Sequence, residues 1–217
     1  TFNDAKTICG VKYKFIPEHV AQRRLANMCL SYLIETKETR FVDLCKYQFS
    51  NADNMTDEYA ALSCLTNIDG PVSSVPLLDF YNKWNSNPLV LDRWFAVQAI
   101  SSLPGAVDRV EKLMSHKDFS LSNPNKLRSL VVSFCRGNPE QFHSLDGSGY
   151  KFLGRVIRTV DPVNPQMGSA LTKIFQDWAK YDVVRQSFIK SELEMILGND
   201  GISANTIEVA TTALRGS

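Results

Sequence analysis

The chain has 217 residues, 44% of them hydrophobic and 22% charged, enough to bury a sizeable core in one large domain or two small ones. Lys and Arg total 24 against 23 for Asp and Glu, so no charge excess favours nucleic acid or an acidic membrane surface. No apolar run approaches the roughly 20 residues that span a bilayer.

The chain opens on Thr1, in a polar stretch (TFNDAKT) that reads as helix, and it lacks a signal peptide. This suggests a fragment of a longer polypeptide, with Gly216-Ser217 either a natural end or a remnant of cloning. From Pro17 to Thr36, the residues Val20, Leu25, Met28, Cys29, Tyr32 and Leu33 recur at helical spacing. A second helix from about Glu38 to Phe49 follows a link so short that the pair should lie antiparallel. A third starts at Asn54 or Thr56, either of which could cap it, and ends near Asn67. Asp69-Gly70-Pro71 breaks the chain before a fourth helix through Leu78, Phe80 and Trp84.

The fifth helix starts at Asn87-Pro88 and is apolar nearly all round from Leu89 to Ile100, which predicts a buried helix. Pro104-Gly105 breaks again before a short helix through Val107, Val110 and Leu113. Further Asn-Pro pairs at Asn123, Asn138 and Asn164 each precede helix-forming residues. Asn accepts from free amides of the first turn, and Pro suits the next position because no amide partner is lost there. The pairs are either good punctuation or helix starts converging on one cleft. A helix from about Ser148 follows a turn capped by Asp146. The Pro165 helix is expected to run through Phe175 to Trp178, the next is capped by Asp182, and the last starts near Ser203. About a dozen short helices without a strand pattern predict an all-α chain, an α-solenoid of successive antiparallel pairs.

Chemistry-bearing motifs are sparse. His19, His116 and His143 form no HxxxH pair and read as surface or capping residues. Cys9, Cys29, Cys45, Cys64 and Cys135 are odd in number and contain no CxxC, and most sit among apolar residues. They read as reduced core thiols of a cytoplasmic protein. Gly147-Ser148-Gly149 has neither dinucleotide-loop nor nucleophile-elbow spacing. No catalytic residue is assigned.

Several long blocks carry a resemblance. They are ADNMTDEYAALS from Ala52, NPLVLDRWF from Asn87, FSLSNPNKLRSL from Phe119, GNPEQFHSLDGSGYKFL from Gly137, and NPQ from Asn164. Together they resemble the C-terminal helical domain of the bacterial-type aminopeptidase N family, zinc aminopeptidases of the gluzincin class. The resemblance covers nearly the whole chain as a single domain. It implies a superhelical bowl over a catalytic domain of the same polypeptide, which would hold the zinc through HExxH and a downstream Glu. No metal ligand or cofactor is expected here. The substrates would be peptides, cut at their N-terminal residue.

Two positions carry over on the resemblance. Arg128, in NPNKLR, matches an arginine facing the cavity on the primed substrate side. Gln166, in NPQ, matches a residue lining the substrate pocket. A planar guanidinium suits a peptide carboxylate or carbonyl, and the second residue of a helix sits in a field favouring such groups. The bland alternatives are an Arg bridging helix ends and a Gln capping its own turn. Ala170 stands where the family tends to place a cavity-facing Arg. Arg155 and Arg158, one turn apart, either add positive potential to a cavity wall or form a solvated face. The competing function is a free-standing α-solenoid scaffold that binds a protein partner on its concave face.

Overall fold

The computed structural model describes residues 13–215, so Cys9, the TFNDAKT stretch and Gly216-Ser217 lie outside the described residues. Every regular element among the described residues is helical. The chain forms two compact units, one through Asn87 and one from Pro88.

The first unit holds α1 (Pro17–Ile34), α2 (Thr39–Asn51), α3 (Met55–Leu65) and α4 (Pro71–Trp84). Asn54, rather than Thr56, caps α3, its side chain accepting from the Asp57 amide at 3.0 Å. Leu30, Ile34, Cys45, Ala61, Cys64 and Leu65 form the core, and Phe41, Val42 and Phe49 pack around it. A polar network pins three helices together. Asn27 of α1 donates to the Asp57 carboxylate at 2.7 Å, and Gln48 of α2 donates to Asn27 at 2.7 Å and to the Asp57 carbonyl at 3.0 Å. Buried Glu58 accepts from Lys83 at 2.9 Å and from the Trp84 indole at 3.3 Å, tying α3 to α4.

One expectation fails in α1. Its core-facing residues are Ala26, Leu30 and Ile34, four apart, whereas Val20, Leu25, Met28 and Tyr32 are exposed. Apolar residues stand on both sides of this helix, so periodicity alone does not choose the inward face.

The second unit contains α5 (Pro88–Ala99), α6 (Ala106–Met114), α7 (Pro124–Leu127), a π-helical turn (Arg128–Val132) and α8 (Ser133–Gly137). It continues with α9 (Pro139–Phe142), α10 (Ser148–Val160), α11 (Pro165–Thr172), α12 (Val183–Leu197) and α13 (Ala204–Arg215). Helix α5 is buried at Leu91, Trp94, Phe95, Val97, Gln98 and Ala99, but its first turn emerges and Leu89 is exposed. The Pro165 helix is shorter than expected. It ends at Thr172 and gives way to 3₁₀ turns at Lys173–Phe175 and Trp178–Lys180. Trp178 is still buried, its indole donating to the Ala213 carbonyl at 2.8 Å. In α13 the buried residues are Thr206, Ala210 and Ala213, so small side chains face the core rather than Ile207.

The expected caps form. Asn123, Asn138 and Asn164 accept from amides of their own first turns, and Asp182 accepts from the Val184 and Arg185 amides at 3.1 Å. Asp146 accepts from the Ser148 amide at 2.9 Å. Asn138 does more than cap: its amide donates to the Ala99 and Ser101 carbonyls at the end of α5. Arg109 gathers the carbonyls of Gln98, Ser101 and Leu103 at 3.1–3.2 Å, satisfying acceptors that a helix end leaves free. Fully buried Asp161 accepts from the Ser203 amide at 2.6 Å and hydroxyl at 2.8 Å, joining the end of α10 to the start of α13.

Candidate functional site

Arg128 opens the π-helical turn inside the run from Pro124 to Gly137. The extra residue of a π turn interrupts the regular ladder, and such turns concentrate at functional sites. The Arg128 carbonyl is satisfied by the Ser133 amide and by its hydroxyl at 3.2 Å. The guanidinium is exposed and reaches only Asn125, at 3.5 Å, beyond the usual range for N–H···O bonds. No ion pair among the described residues engages it. Among the described residues it therefore bridges no two helix ends.

Gln166 is exposed, one residue past Pro165. The Asn164 side chain caps this turn through the Met167 amide at 3.1 Å, so Gln166 is not its own cap. Its carbonyl accepts from the Ser169 hydroxyl at 3.1 Å. No hydrogen bond or ring contact joins Gln166 to Arg128.

Arg155 and Arg158 are both paired. Arg158 bonds Glu192 of α12 at 3.1 Å, and the carboxylate is almost fully buried. Arg155 bonds Glu111 of α6. Each guanidinium is neutralised by a carboxylate within the unit.

Sequence reasoning misses the environment of His143. Its Nδ1 lies 2.8 Å from the Tyr150 hydroxyl and its Nε2 3.1 Å from the Tyr181 hydroxyl. Its carbonyl accepts from Arg185 Nε at 2.6 Å. The ring stacks on Tyr181 with centroids 4.4 Å apart. His143 is therefore a half-buried packing residue, not a surface one. His116 likewise packs on Trp94 and Phe95, 5.2 and 5.8 Å between centroids. Burial, then the Arg185 charge, holds the His143 imidazole below its ordinary value, and burial first of all pushes the Tyr150 phenol up to about 12. A neutral imidazole donates through one nitrogen and accepts through the other, which suits two hydroxyl partners.

The unfolded chain takes up a proton near the ordinary histidine value of 6.5 while the folded chain resists it. Stability is thus full above that value and declines as pH falls from it through the depressed folded value. Thermal melts at neutral pH and at mildly acidic pH should show a larger loss for the wild type than for His143→Gln. Equal losses would show that this imidazole contributes nothing to the acid sensitivity.

No group of three or more His, Cys, Asp or Glu among the described residues is placed to hold a metal ion, so these residues do not fit a zinc site. No helix among them is long and apolar enough to cross a membrane. Cys45, Cys64 and Cys135 are buried free thiols and Cys29 is half-buried. Burial raises the Cys135 thiol well above its ordinary value, which makes it a poor nucleophile. In the first unit a groove of about 340 Å³ is lined by Tyr13, Phe15, Val20, Arg23, Arg24 and Asn27. Arg23 is already engaged there, stacked over the Tyr13 ring at 4.8 Å. Neither Arg128 nor Gln166 lines this groove.

Residues 3–215 match the model of the family described as a domain of unknown function, DUF3458_C, with ARM repeats. The chain belongs to this family. ARM repeats are an α-solenoid architecture, in which helical units stack on their neighbours. The chain is 37% identical over 204 residues to aminopeptidase N of Escherichia coli, covering 94% of this chain and 23% of that protein. Aminopeptidase N of Haemophilus influenzae is 36% identical over 203 residues, with the same coverage. The crystal structure of Legionella pneumophila aminopeptidase A in complex with aspartic acid superposes with a TM-score of 0.90 at 34% identity. That superposition covers 100% of this chain and 26% of the Legionella chain. The chain thus spans about a quarter of the length of these relatives.

Proposed function

We propose that this chain is the C-terminal accessory region of a zinc-dependent aminopeptidase that removes N-terminal residues from peptides. The observation that carries this reading is similarity to aminopeptidases along 94% of the chain. The catalytic domain and its zinc would lie elsewhere in the same polypeptide, since the described residues here assemble no ligand set. The helical region would enclose the substrate cavity, and Arg128 and Gln166 would contact residues on the primed side. Arg128 suits that role because it is exposed and unpaired by any carboxylate among the described residues. We further place the parent enzyme in the cytoplasm. The aspartic acid bound to the Legionella enzyme makes acidic N-terminal residues worth testing beside alanine.

The test is an aminopeptidase assay with alanine- and aspartate-linked chromogenic amides. The purified chain should be inactive alone. Mixed with the upstream region of its natural polypeptide, it should bind and restore or raise activity. Activity from the chain alone would sink the accessory reading. A natural polypeptide lacking any zinc-peptidase region would leave a scaffold that binds a protein partner.

A further inference from the structure

We infer that Cys45 and Cys64 form a peroxide-responsive pair, whose oxidation to a disulfide staples α2 to α3. The inference goes beyond the aminopeptidase reading and does not rest on it. Both side chains belong to the core of the first unit, and α2 and α3 pack against each other there. Cys45 is fully buried, and its thiol donates to the Ala61 carbonyl of α3 at 3.4 Å. Cys64 lies three residues beyond Ala61, on the same side of that helix. The thiols of Cys45 and Cys64 hydrogen-bond each other. Two hydrogen-bonded sulfurs from two packed helices meet the first demand of a disulfide, that the side chains converge.

The two thiols are not equivalent. Cys64 is 6% exposed against 0% for Cys45, and it sits in the last turn of α3, which ends at Leu65. Helix ends open locally at little cost, which gives a small oxidant a route to this sulfur. The hydrogen bond from Cys45 lowers the Cys64 thiol below its ordinary value, with burial and the Glu35 carboxylate opposing. The same hydrogen bond, then burial, holds the Cys45 thiol far above it. Cys64 is therefore the attacking sulfur and Cys45 the resolving one. The Cys64 thiolate attacks one oxygen of hydrogen peroxide, the O–O bond breaks, and a sulfenic acid forms. The departing hydroxide takes the proton that Cys64 lost and becomes water. The Cys45 sulfur then attacks the sulfenic sulfur. The S–S bond forms, the S–O bond breaks, and the leaving hydroxide takes the Cys45 proton as a second water. Two thiols are oxidised by two electrons, and one peroxide is reduced to two waters.

The experiment treats the folded 217-residue chain with hydrogen peroxide, alkylates the remaining thiols in denaturant, and digests with trypsin without reductant. Cleavage after Arg40, Lys46 and Lys83 leaves Cys45 in peptide 41–46 and Cys64 in peptide 47–83. These two should run as one linked species lacking two hydrogens, and dithiothreitol should separate them. Cys135, almost fully buried and with its thiol raised by burial, is the internal control and should be recovered alkylated. With Cys45→Ala the sulfenic acid on Cys64 loses its resolving thiol and should be trapped by dimedone. With Cys64→Ala, Cys45 should stay a thiol. The disulfide closes a loop in the unfolded chain, so oxidation should raise the melting point by about 4 °C or more, reversed by dithiothreitol. A link that forms only in denaturant, a Cys64 still reduced once Cys29 is oxidised, or pairing of either residue with another cysteine would overturn the inference. An oxidised chain melting no higher than the reduced one would overturn the staple. The wild-type mapping needs neither variant, so it decides even where an alanine variant fails to fold. An unlinked pair would leave the aminopeptidase reading untouched.

Discussion

Gly149→Ala is expected to cost the second unit more than about 4 kcal/mol, a loss reserved for changes with no way to relax. Gly149 is the second residue of α10, and a Cβ there would lie 2.3 Å from the Phe142 carbonyl oxygen and 2.8 Å from its Cα. Both atoms are backbone, so no rotamer change relieves the overlap. The only escape is to part α9 from α10. That separation would pull Phe142 away from Phe134 and Tyr150, whose rings it meets edge-on at 5.8 and 5.4 Å. Phe142 and its two partners, Phe134 and Tyr150, are almost fully buried, so a gap between them removes apolar contact that nothing replaces. Urea unfolding followed by near-ultraviolet circular dichroism measures the loss. Gly198→Ala is the control, because a Cβ there meets only the Glu194 carbonyl at 3.4 Å, in an ordinary helical conformation. It should be neutral, or stabilising by about 0.4–1 kcal/mol through the unfolded chain. A Gly149→Ala protein within about 0.5 kcal/mol of wild type would show that the helix pair can open at little cost.

What the sequence discloses and what it hides divide by distance along the chain. Asn54, Asn123, Asn138, Asn164 and Asp182 bond amides two or three residues away, so residue type and a following turn suffice to find them. The Asn138 side chain also bonds Ala99 and Ser101, nearly forty residues back, and no local pattern announces that. Asp161 with Ser203 and His143 with Tyr181 are hidden for the same reason. Arg158 reads equally as cavity wall or solvent face until Glu192 is brought against it from α12. The inward face of α1 is illegible because apolar residues occupy both sides, and only the neighbours Cys45 and Leu65 decide which side is core. For the site, the helix starts at Pro124 and Pro165 are legible, and with them the placement of Arg128 and Gln166. The π turn at Arg128 is not, since no local signature in RSLVV marks it.

In the full natural polypeptide, Arg128→Ala is expected to impair cleavage of peptides while sparing chromogenic amides. A chromogenic amide has one amino acid and a dye in place of the primed residues, so a group acting on the primed side has no amino-acid residue to hold. A peptide of three or more residues presents carbonyls and a carboxylate there, and a hydrogen bond to a charged guanidinium is worth about 1.5–3 kcal/mol. That corresponds to a loss of roughly ten- to a hundredfold in kcat/KM for peptides. Gln166→Ala removes a neutral contact at a helix start and should lose less, about 0.5–1.5 kcal/mol. The fold should be indifferent to both changes, because both side chains are exposed and Arg128 has only its long contact to Asn125. Equal melting points in the 217-residue chain would establish that. Arg128→Lys separates charge from shape: an ammonium keeps the charge but not the planar pair of donors, so partial rescue is expected. If peptides and chromogenic amides fell together, the arginine would act on the catalytic domain rather than on the primed residues. If neither fell, Arg128 would be a solvated side chain on a turn that serves packing alone.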